Sequence, residues 1–97
     1  MNWKKHIMDL EAGNTVQCRP KGNSMSPKIN SGNKITISPS KSFKKGDMVF
    51  CKVKGRYYIH LISAVNGQRY QISNNKGKIN AWIHKKNIFG KVIKIEK

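Results

Sequence analysis

Residues 48–73 read MVFCKVKGRYYIHLISAVNGQRYQIS. Apolar and β-branched residues dominate three short runs, and each gap between runs holds a turn signal. Lys54-Gly55 separates "MVFCKV" from "RYYIHLISAV", and Asn66-Gly67 separates that run from "QRYQIS". Gly after a polar residue between strand-like runs is the pattern of a tight hairpin. Two consecutive hairpins therefore open an antiparallel sheet. Working outward, "NKITIS" alternates, with Ile35 and Ile37 on one face, and "TVQCRP" is a short strand closed by Pro20. A loop with Pro39 and a turn at Lys45-Gly46-Asp47 lead into the hairpins. "NNKGKIN" reads as a polar loop, and "NIFGKVIKI" as the last strand, with Gly90 marking a bulge or a close approach. Only residues 2–12 carry helical spacing: Trp3, Ile7 and Leu10 share a face with Met8 beside them, and Gly13-Asn14 ends the helix. The expected fold is mainly β, a barrel-like arrangement of coiled antiparallel sheets with one short N-terminal helix. A helix in 1–14 and a β unit over 15–97 make a single domain.

Length and composition agree. The 97 residues are 37% hydrophobic and 25% charged, the balance of a globular chain. The sign of the charge is unusual: 20 Lys and Arg against 4 acids give +16. Such a surface suits a polyanion or an acidic protein. The plainer explanation is a Lys- and Asn-rich genome bias, since the cations are spread along the chain. Cys18 and Cys51 lie inside apolar alternation without CxxC spacing, and the His residues lack zinc spacing, so buried thiols are expected and neither a metal nor a cofactor is. No run reaches the roughly 18 apolar residues of a membrane span, and the N-terminus lacks the apolar core of a signal peptide. A cytoplasmic protein is expected.

The segment Gly22-Asn23-Ser24-Met25-Ser26-Pro27 stands apart. These are ordinary β-turn residues. They are also what a nucleophilic serine needs: exposure on a constrained bend, with backbone N–H groups nearby to hold an oxyanion. Met25 can anchor such a bend in apolar surface. Composition alone leaves both readings open.

"GNSMSP", "SGNKITI", "KKGDMVFCKVKGRYYIHLI" and the closing "ISNNKGKINAWIHKKNIFGKVIKI" occur in this order from about Val16 to Ile95. The series resembles the catalytic domain shared by type I signal peptidases and LexA-type self-cleaving repressors, and in particular small stand-alone members found in phages and mobile elements. The resemblance implies a coiled β fold, a nucleophile at Ser24, an oxyanion turn at Met25 and a general base at His60. Bacterial members place Lys at that last position, whereas signal peptidases of the endoplasmic reticulum place His. A lysine must be desolvated to act as a base near neutral pH, but a histidine is already largely neutral there. The alternative is a structural histidine, since alternation puts His60 on one face with Tyr58, Ile62 and Ala64.

The chain departs from the family pattern at several points. Leu61 follows His60 where Arg is frequent, and Asn33 stands where an acid is usual. No Asp marks a third member, and nothing in the spacing ties His6 or His84 to the site. Neither a membrane anchor nor a winged helix is seen. The bond Ala12-Gly13 matches the type that LexA-like proteins cut in themselves, but Gly13 is better read as the helix stop.

A second function class stays open beside the peptidase. Lys76, Lys78, Lys85 and Lys86 crowd the late loop around Trp82. An aromatic among cations can stack a base and neutralise phosphates. An inactive module on the same fold would then bind nucleic acid or an acidic protein.

Overall fold

The computed structural model describes residues 2–22, 25–26 and 28–97. Their elements are α1 (Trp3–Glu11), β1 (Val16–Cys18), β2 (Lys34–Ser38), β3 (Met48–Val53), β4 (Arg56–Asn66), β5 (Arg69–Ser73), β6 (Ile79–His84), a 3-10 turn (Lys85–Asn87) and β7 (Ile88–Glu96). Among the described residues the strands form one antiparallel sheet in the order β1-β2-β7-β3-β4-β5-β6. The fold is mainly β with one short N-terminal helix, as expected.

Three details differ from the expectation. The sheet is not closed into a barrel: β1 and β6 are its two edges. It does coil, because β6 reaches back into contact with β3 although two strands separate them. The "polar loop" is also shorter than expected, and its end opens β6, which the alternation rule misses. The second hairpin turn falls one residue later than expected. Asn66 pairs with Arg69, so the loop is Gly67-Gln68, with φ 60° at Gly67.

Why β3 is almost continuously apolar follows from its place. Phe50 faces one core with Leu10, Ile35, Ile37, Ile59 and Val92, while Val49, Cys51 and Val53 face a second with Ile62, Tyr70 and Ile72. A strand covered on both faces has no solvent side to make polar. The helix covers the first face through Leu10, with Trp3 and Ile7 packed alongside; Met8, beside that face, is 70% exposed. Asn2 caps its start by accepting from the Lys5 N–H. Its end is a Schellman motif: Gly13 N–H donates to Leu10 O, Asn14 N–H donates to Asp9 O, and Gly13 holds φ 90°. The helix-stop reading of Gly13 thus has a direct structural basis. Of the two roles expected for Gly90, the structure gives it the close approach, and the bulge falls on its neighbour. A Cβ there would lie 2.7 Å from Ile37 Cγ2 and 2.9 Å from the Ser38 carbonyl oxygen, and Phe89 beside it is the extra residue where β7 slips register against β3.

Candidate active site

β4 is long and is paired unequally. β3 covers Arg56 to Leu61, but β5 pairs only from Leu61 to Asn66. Among the described residues, the edge from Arg56 to His60 has no strand on its β5 side. His60 sits at the inner end of that open edge. It is 4% exposed, and the Tyr58 ring stacks on it at 4.7 Å with planes 28° apart.

The orientation of the imidazole is set from β6. His60 Nδ1 lies 2.7 Å from Asn80 Oδ1. An amide oxygen only accepts, so Nδ1 carries the proton and Nε2 keeps the ring's lone pair. Asn80 reaches the ring through a β-bulge. Ile72 pairs with Ala81 and Ser73 pairs with Ile79, leaving Asn80 as the extra residue between them. A bulge re-aims a side chain that plain alternation would send elsewhere. Burial lowers the pKa of His60 below its ordinary 6.5, and the Asn80 hydrogen bond opposes that effect more weakly. Around neutral pH the ring is therefore neutral and able to accept a proton.

His60 lines a cleft of about 110 Å³ together with Gly22, Met25, Ile29, Trp3 and Tyr57. The described part of the Ser-Met turn is tied down from three directions. Met25 is 3% exposed in the helix-side core, and its carbonyl accepts from the Ile29 N–H at 2.9 Å. Ser26 Oγ donates to Asn30 Oδ1. From the β5–β6 loop, Asn75 Nδ2 donates to the Ser26 carbonyl at 2.8 Å. Ser24, the expected nucleophile, lies outside the described residues, as do Asn23 and Pro27.

The other histidines take different roles. His6 meets Trp3 edge-on at 6.2 Å, and His84 Nδ1 accepts from the Lys86 N–H at the start of the 3-10 turn. Asn33 Oδ1 accepts from the Asn30 N–H within its own turn. Cys18 and Cys51 are both buried free thiols, with Cys51 pushed up to about 12 by burial. The cationic cluster is spread along β6. Lys76 and Lys78 precede the strand and Lys85 and Lys86 follow it, with Trp82 between them at 44% exposure. Lys85 Nζ donates to the Lys41 carbonyl, pinning that end. Asn80 is the site residue that sequence reasoning missed. Its signal would have been the strand in "INAWIH", whose alternation the bulge itself breaks.

The family model described as Peptidase S24-like matches residues 1–93. A comparison with curated proteins finds no match.

Proposed function

The chain belongs to the Peptidase S24-like family, and from that premise we propose that it is a small serine peptidase using Ser24 as nucleophile and His60 as general base. One observation carries this reading. His60, with its proton fixed on Nδ1 by Asn80, lines the same cleft as Met25, the chain neighbour of Ser24. His60 Nε2 takes the Ser24 hydroxyl proton as that oxygen attacks the peptide carbonyl carbon. Backbone N–H groups of the Ser24-Met25 turn hold the oxyanion. The tetrahedral adduct collapses, Nε2 returns the proton to the departing amine, and an acyl ester remains on Ser24. Water, deprotonated by the same nitrogen, then releases the acid and restores the serine. Asn80 is a positioning residue, because it acts through the imidazole. The open edge of β4 offers the substrate backbone a place to pair as an added strand.

The test is covalent labelling with a fluorophosphonate. Ser24 is expected to be modified, with a rate that rises as His60 loses its proton, and both Ser24→Ala and His60→Ala should abolish the label. Equal labelling of wild type and His60→Ala would refute histidine activation.

A second reading draws on the exposure of Trp82: an inactive module binding nucleic acid through Trp82, Lys76, Lys78, Lys85 and Lys86. Micromolar affinity for an oligonucleotide at about 0.15 M salt, where the screening length is only about 8 Å, lost on replacing Trp82, Lys85 and Lys86, would favour it. Affinity that vanishes at that salt would count against it.

A further inference from the structure

A second cleft, of about 290 Å³, shares the Tyr58 wall with the first. Its walls include Tyr58 and Asn80, the two residues that stack on and hydrogen-bond to His60. Its remaining polar walls are Lys54, Arg56 and Lys78, all exposed. No acid lines it. The four acids of the chain are Asp9 and Glu11 on α1, Asp47 in a turn and Glu96 near the end of β7. Asp47 accepts from the Lys44 N–H, and Glu96 lies 3.7 Å from Lys94.

Lys54 adds an independent sign. Among the described residues it is the one non-glycine with positive φ, at 50°, followed by Gly55 at 83°. Positive φ at both central positions makes the β3–β4 loop a type I′ turn, where Asn-Gly is the favoured pair and a lysine is strained. A cation lines this cleft at a turn position where Asn would fold better, and such local strain points to a functional demand.

We propose that this cleft makes the peptidase selective for acidic peptides, its three cations receiving Asp or Glu side chains of the substrate. The inference rests on the Ser24/His60 reading above for its catalytic meaning. Position along the chain follows from strand geometry. Arg56 is four residues from His60 on β4, a span of roughly 13 Å at about 3.3 Å per residue. A substrate strand laid beside β4 therefore places an acidic residue two to four residues from the bond that is cut.

The test uses alanine-based peptides carrying Glu, Gln or Lys two and four residues to either side of a central Ala-Ala. Their binding to the Ser24→Ala protein is read by fluorescence anisotropy at 0.15 M salt. The Glu peptide should bind at least tenfold more tightly than the Gln peptide, and the Lys peptide more weakly than both. The variant Lys54→Gln/Arg56→Gln/Lys78→Gln should lose that preference, while Lys44→Gln/Lys45→Gln/Lys97→Gln, which removes equal charge elsewhere, should keep it. Lys54→Asn should weaken the Glu peptide and raise Tm, separating a substrate role from a folding role. Equal binding of Glu and Gln peptides overturns the proposal, as does a preference lost equally in both triple variants. A thymidine oligonucleotide binding more tightly than the Glu peptide, through the same three cations, also overturns it in favour of a nucleic-acid site. Fluorophosphonate labelling of wild type is run in parallel. Labelled Ser24 with no Glu preference defeats the acidic-peptide inference alone, whereas a Glu preference without labelling defeats the peptidase reading and leaves an acidic-peptide binding cleft.

Discussion

Replacing Asn80 by Asp tests the site without requiring turnover. The amide oxygen now 2.7 Å from His60 Nδ1 becomes a carboxylate oxygen at the same place. With the two charges centred about 4 Å apart, an effective dielectric near 20 gives roughly 4 kcal/mol of attraction for the imidazolium. At about 1.36 kcal/mol per pKa unit that is an upper bound of roughly 3 units. His60 is buried but Asn80 is only half-buried, so water screens part of it. The pKa of His60 should rise by about one to three units, the range for a carboxylate–cation pair at this distance. The assay is an NMR titration of the imidazole, whose nitrogen shifts also report the tautomer. Wild type should titrate below 6.5 with the proton on Nδ1. Stability has a matching sign. The folded pKa of the wild-type histidine is depressed, so its contribution is present above 6.5 and is lost as pH falls through the folded value. Wild type should therefore melt progressively lower below that pH, and Asn80→Asp should show a smaller acid loss from this group. A His60 pKa unchanged by Asn80→Asp, or a wild-type ring protonated on Nε2, would refute the orienting role of Asn80.

Two further outcomes follow from packing and from the Ser-Met turn. Gly90→Ala drives a methyl against the Ser38 backbone oxygen at 2.9 Å, so β2 or β7 must move; the expected loss is about 1–3 kcal/mol by denaturant unfolding, and an unchanged midpoint would show that the strands yield freely. Asn75→Ala removes the bond to the Ser26 carbonyl and should slow fluorophosphonate labelling of Ser24 while leaving the His60 titration in place; an unchanged labelling rate would mean that the turn is held without the β5–β6 loop.

Local chemistry alone determined the helix and its glycine stop, the β3–β4–β5 hairpins and the tight approach at Gly90, while the family was legible through the resemblance of an ordered series of short motifs. Each is written within a few residues, in alternation, in turn formers or in an order of short motifs. Only the tertiary structure decided that β7 lies between β2 and β3, since that pairing joins segments far apart in the chain. Residues 79–84 show why β6 was illegible: the bulge at Asn80 breaks the period-two pattern by which a strand is read. The same bulge turns Asn80 onto His60 and so chooses which ring nitrogen can take a proton. Lys54, Arg56 and Lys78 are scattered among 20 basic residues in the sequence and become one cleft only when β6 folds beside the β3–β4 turn. Hairpins are encoded by neighbours, whereas a cleft between strands depends on register and coiling, which no local stretch of this chain specifies.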